Sequence, residues 1–176
     1  MNNSWGNDGR LAFRRLQTNT GVSRSYLAYA YDNDDNITGI TDNVTPVNSR
    51  TFGYDVRGRL TQAVAQTGSF AREDMLHDAN GNRTAVERRV NANDNAPAQT
   101  DIYTRTAGTN KLASIDGSFG TRSITYDARG NTQSETRSGG IAVTTGYDGY
   151  GRLTNFTRTG EEDQNNIYNG MDERVA

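Results

Sequence analysis

Apolar positions along the chain come in short alternating runs, each cut off by turn residues. The stretches "LAYAY", "RTFGY", "RSITY" and "VTTGY" each end in an aromatic residue. In an extended strand, period two places Tyr29 on the face of Tyr31, Phe52 with Tyr54, Met75 with His77 and Ile124 with Tyr126. No window holds a helical period for three turns, and Gly, Asn, Thr and Asp interrupt throughout. The pattern predicts an all-β chain.

The turns between these runs repeat a phrase. "YDVRGRLT" at Tyr54 and "YDGYGRLT" at Tyr147 share YD and GRLT, and "HDANGNRT" at His77 and "YDARGNTQ" at Tyr126 keep the frame. Worn copies start at Trp5, Tyr31, Thr106 and Tyr168, which gives about eight units across residues 1–176. The fifth position reads Gly9, Asp35, Gly58, Gly81, Asn110, Gly130, Gly151 and Asp172. These are the residue types that most readily accept positive φ. The second position holds Asp32, Asp55, Asp78, Asp127 and Asp148. Asp followed three residues later by Gly marks a type I turn, with the carboxylate bonding backbone N–H groups. After the turn, Leu60 and Ala63, Ile37 and Ile40, and Leu153 and Phe156 are spaced by three, which a bulge would reconcile with a strand. Each unit therefore reads as a β-hairpin, and hairpins set side by side make one sheet with an aromatic face. The long interval between His77 and Thr106 predicts an inserted surface loop over 88–101, with a domain boundary as the alternative.

Composition narrows the picture. Only 32% of the 176 residues are hydrophobic and mean hydropathy is -0.86, which suits a one-layer sheet with little interior. Net charge is -2, so no field draws in nucleic acid or anionic lipid. Lys111 is the sole lysine, and the remaining basic residues are Arg, which stacks on rings and forks onto carboxylates. There is no Cys, hence no disulfide or thiolate site. No run approaches a membrane span, and "MNNSWGNDGR" has no apolar run of a signal peptide.

The tandem phrases "YDVRGRLTQA", "HDANGNRTAV", "NKLASI", "ITYDARGN", "YDGYGRLTNF" and "YNGMDERVA" resemble the YD, or Rhs, repeat. That family includes bacterial Rhs polymorphic toxins, the C components of Tc toxin complexes and the teneurins. The resemblance implies a curved sheet forming part of a spiral β-shell. In bacterial toxins such a shell encloses a C-terminal toxin domain, and in teneurins it serves adhesion. The family's "DPxGLxxG" segment, with its self-cleavage Asp residues, is absent, so self-cleavage is not expected. A complete shell also needs several times this length.

Candidate chemistry is thin. His77 is the sole His and occupies an aromatic position, with Asp78 already assigned to the turn. "DNDDN" (32–36) lacks the Gly and Glu of an EF-hand, and "NANDNAP" (91–97) lacks the leading Asp of a cadherin calcium linker. "SGG" (138–140) lacks the Lys of a phosphate loop. Tyr147 and Arg152 flank one turn and are expected to be near neighbours. The structural turn set is Gly9, Asp32, Asp55, Gly58, Asp78, Gly81, Asn110, Asp127, Gly130, Asp148 and Gly151. The structural aromatic set is Trp5, Tyr31, Tyr54, His77, Tyr126, Tyr147 and Tyr168.

The expected function is a non-catalytic shell segment that encapsulates or presents a toxin domain, with an adhesive module for glycan or protein as the alternative. No enzyme, cofactor, metal, nucleic-acid partner or membrane insertion is expected. Partners would be neighbouring shell segments or further copies at open sheet edges, and an enclosed toxin domain. The resemblance implies a secreted or cell-surface protein.

Overall fold

The computed structural model describes residues 1–66, 68–118 and 120–175. The strands are short and follow the alternating runs. They are β1 (Asn2–Trp5), β2 (Leu11–Gln17), β3 (Ser23–Tyr31), β4 (Ile37–Asp42), β5 (Arg50–Tyr54), β6 (Leu60–Ala65), β7 (Arg72–His77) and β8 (Arg83–Arg89). They continue as β9 (Gln99–Arg105), β10 (Leu112–Asp116), β11 (Arg122–Tyr126), β12 (Thr132–Arg137), β13 (Ile141–Tyr147), β14 (Leu153–Arg158) and β15 (Gln164–Asn165). Among the described residues one 3-10 turn, Pro46–Asn48, interrupts the series. All 15 strands lie in one antiparallel sheet in sequence order, and the sheet does not close on itself. Tandem β-hairpins are therefore the architecture.

The chain divides into two compact units, Met1–Thr100 and Asp101–Ala176. The division falls at the end of the segment expected as an inserted loop. That loop is shorter than 88–101: Arg88 and Arg89 belong to β8, and Gln99–Asp101 to β9. The connection is 90–98, pinned by the Ala98 amide donating to the Arg88 carbonyl (2.8 Å).

The spacing by three after each turn has a geometric cause. Gly53 pairs with Gln62 but Tyr54 pairs with Leu60, so Thr61 is an extra residue. The same shift sits before Trp5, Tyr31, His77, Tyr126 and Tyr147. Each is a β-bulge, which restores face alternation beyond the turn and twists the hairpin.

Neither unit has a deep core. Val86 is the one buried hydrophobic residue among those described. In the first unit, Ile40, Arg50 and Ala65 share a face, as do Phe52 with Ala63 and Met75 with Val86. Apolar side chains there cover one another laterally, as in a single layer. The other buried residues are charged: Arg89, Asp101 and Glu135.

Candidate functional site

The recurring feature is the hairpin tip. Six of its turns share one bonding scheme set by the second position. The Asp55 amide donates to the Arg59 carbonyl (3.0 Å), and the Gly58 amide returns to the Asp55 carbonyl (2.9 Å). The Asp55 carboxylate then accepts from the Arg57 amide (2.9 Å), the Arg59 amide (3.1 Å) and Arg59 Nε (2.6 Å). Asp148 does the same with the Tyr150 and Arg152 amides and Arg152 Nε. Asp32 and Asp127 take the side chains of Asn36 and Asn131 in place of Arg. Asp78 caps the Asn82 amide (2.8 Å). Asn169 caps the last turn with the Met171 and Glu173 amides. At the first tip Gly6 occupies the second position, and Asp8 supplies the carboxylate, accepting from the Arg10 amide (3.0 Å).

These bonds hold the carboxylates in their charged form. Asp55 is lowered to about 2, chiefly by the Arg59 guanidinium and then by the turn amides. Asp32 and Asp127 are lowered, first by the Asn36 and Asn131 side chains. Burial pushes Asp148 up, but the Arg152 amide and guanidinium outweigh it, and the net shift is downward. A carboxylate occupied by its own turn has little left for a metal or a proton-transfer role. Among the described residues no three His, Asp or Glu side chains gather as metal ligands.

The fifth position is left-handed at Gly9, Asp35, Gly58, Gly81, Gly130, Gly151 and Asp172. Asn110 is a correction. The fifth turn carries an additional residue: the Thr106 amide donates to the Lys111 carbonyl, and positive φ falls at Gly108 (73°). Thr106 thus stands where Asp stands elsewhere, and Arg105 takes the aromatic position opposite Leu112. Register counted from sequence could not see the extra residue, because Asn110 and Gly108 both suit a turn.

The aromatic row does more than line a face. Tyr31 Oη donates to the Leu11 carbonyl (3.0 Å), Tyr54 to Ile37 (2.9 Å), Tyr126 to Leu112 (2.9 Å) and Tyr168 to Leu153 (2.9 Å). Each acceptor opens the bulge of the preceding hairpin, so the phenol binds a carbonyl at the irregularity that the bulge makes in the ladder. His77 is too short for this, and its Nδ1 is buried without a hydrogen-bond partner. At Tyr147 the equivalent Thr132 carbonyl accepts from the Thr145 hydroxyl instead. Trp5 lies on the edge strand and is 63% exposed.

Arg152 does not stack on Tyr147. Its guanidinium lies 4.7 Å from the ring centre of Tyr168 in the next hairpin and 5.2 Å from that of Tyr150. Arg10 lies over Tyr31 in the same way (5.0 Å), and Lys111 over Tyr126 (5.4 Å). Charged pairs away from the tips, joining strand-end Arg residues to acids within the strands, form a second set. In the first unit Arg89 binds Asp74 and Glu87, and Arg72 binds Asp74. In the second, Glu135 lies opposite Ile124 and Val143 and is held by Arg122 (2.5 Å) and Arg137. Burial raises the Glu135 carboxyl, and the two guanidinium groups together bring it below its ordinary value. An acid in mid-strand opposite apolar residues was the available signal for this pair.

No protein-family model matches the chain, and no curated protein matches it. Solved structures do. The "TcdB2-TccC3" crystal structure aligns with a TM-score of 0.56 at 16% identity, covering 94% of this chain and 11% of that one. The Photorhabdus luminescens Tc holotoxin pore carrying TccC3-D651A aligns with a TM-score of 0.55 at 15% identity, covering 94% and 10%. The "TcdB2-TccC3-Cdc42" structure gives 0.54 at 14% identity, covering 93% and 12%. The chain spans about a tenth of the length of these solved chains. The chain is a single open antiparallel sheet of tandem bulged hairpins, and its likeness to these toxin-complex structures gives it the Rhs/YD-repeat shell fold.

Proposed function

We propose that the chain is a non-catalytic wall segment of an Rhs/YD-repeat shell that encloses or presents a toxin domain, in a secreted or cell-surface protein. One observation carries this reading: the strands form an open single layer in which Val86 is the only buried hydrophobic residue among those described. Such a layer has both faces to offer and two free edges, at β1 and β15. Free edges recruit further strands, so neighbouring shell segments are the natural partners. The carboxylates that could do acid–base work are engaged in their own turns, which favours a structural role. Likeness to Tc toxin structures supports a shell over a free-standing adhesive module.

Electron microscopy and limited proteolysis of the native protein containing this chain test the proposal. A hollow particle is expected, with these strands in its wall and an enclosed segment protected from protease. A solid particle, or one whose other segments are all cleaved at the rate of free peptide, overturns it.

A further inference from the structure

The sixth position of the repeated phrase alternates in chemical kind. Arg10, Arg59, Lys111 and Arg152 fill it in the odd hairpins, and Asn36, Asn82, Asn131 and Glu173 in the even ones. Arg and Asn both complete their own turns. Arg59 Nε reaches Asp55 at 2.6 Å and Arg152 Nε reaches Asp148 at 2.7 Å. Asn36 and Asn131 do so through Nδ2 at 3.0 and 2.9 Å. The difference lies in what is left over. An Asn amide has two donors on one nitrogen, whereas a guanidinium has five spread over a fork.

The spare donors reach forward to the next tip. Arg10 Nη1 donates to the Asp32 carbonyl (2.8 Å), Arg59 Nη1 to the Asp78 carbonyl (2.8 Å) and Arg152 Nη1 to Asp172 Oδ1 (2.5 Å). Three of the four cations also lie over the following hairpin's ring, as given above. These bridges run from odd to even hairpins. At the border between the sixth and seventh hairpins Arg129, from the fourth position, reaches the Asp148 and Gly149 carbonyls instead. The border between the second and third hairpins has Asn36 at the sixth position. There β4 and β5 share two register pairs, against five between β2 and β3.

We infer that the hairpins are clamped in pairs by the sixth-position cation, and that the first unit yields first along the border of β4 and β5. The inference rests on the fold alone and not on the shell role, so a negative result leaves that role untouched. The geometry also shows how the border could be closed. A Cβ on Gly58 would sit 3.7 Å from Asn36 Oδ1, so a longer side chain at 36 meets the next tip.

Native-state hydrogen exchange on the full chain tests this. In the wild type, ladder amides of β4 and β5 are expected to exchange faster than those of β2 and β3. Asn36→Arg is expected to slow the β4–β5 amides about fivefold, the effect of one added hydrogen bond. Arg10→Asn, which keeps a side-chain amide at the sixth position, is expected to speed the β2–β3 amides by a similar factor. Equal exchange at the two wild-type borders overturns the inference, as does an unchanged β2–β3 rate in Arg10→Asn. Should Asn36→Arg fail to fold, those two measurements decide the matter.

Discussion

The Tyr54 hydroxyl donates to the Ile37 carbonyl at 2.9 Å, across the border between two hairpins. Ile37 opens the bulge on β4, opposite Tyr31. One phenol therefore joins the aromatic row of one hairpin to the backbone irregularity of the one before. Tyr54→Phe keeps the ring and leaves that carbonyl without the phenol. The expected cost is about 1 kcal/mol, seen as a melting point lower by about 2–4 °C for a chain of this size. An unchanged melting point would show that water satisfies the carbonyl equally well.

His77 sits in the same row without the bond. Its Nδ1 is buried and unpartnered, and the carbonyl equivalent to Ile37 is that of Leu60, opposite Tyr54 in β6. His77→Tyr is expected to stabilise the protein by about 1 kcal/mol, by removing an unsatisfied buried nitrogen and adding a hydroxyl donor. His77→Phe, which does only the first, should gain less. Urea denaturation of the three proteins gives the ranking, and a Tyr variant no better than Phe would refute the row's bonding role.

Gly58 has φ of 72°, and a Cβ there would meet open space apart from Asn36 Oδ1 at 3.7 Å. Any cost of substitution is therefore conformational and not steric. Gly58→Ala is expected to lose about 1 kcal/mol. Gly58→Asn should lose less, since Asp35 and Asp172 occupy the same position at φ of 66° and 64°. Denaturant midpoints ordered Gly, Asn, Ala are the expected result. Ala equal to Gly would mean that the turn relaxes to another type.

The fold was legible because its information is local. Asp, Gly and an aromatic at fixed offsets describe a turn of a few residues, and the run before it describes a strand. The forward reach of Arg152 to Tyr168 was not legible, since Tyr147 lies nearer in sequence. Which ring a guanidinium meets depends on strand order, and side-by-side stacking brings the next hairpin closer than the far side of its own turn. Asn110 misled for a related reason: a one-residue insertion in a turn costs little and leaves no mark when its neighbours are all turn formers. Glu135 and Arg89 are buried by cross-strand neighbours, which composition does not reveal.

Acid should weaken the tips in a definite window. The folded Asp55 carboxyl is lowered to about 2 from its ordinary value of 3.8, first by the Arg59 side chain. A group depressed in the folded state stabilises it above the unfolded pKa, and the contribution is lost as pH falls through the folded value. Asp32, Asp127 and Asp148 shift in the same direction, so their losses reinforce one another. The melting point is expected to hold steady from pH 7 to about 5 and to fall between about 4 and 2. Asp55→Asn keeps a neutral acceptor, as Asn169 does in the last turn. It should melt lower than the wild type at pH 7, and the gap should close toward pH 2. A gap of constant size across that range would mean that the charge on Asp55 contributes nothing, and that the turn is held by geometry alone.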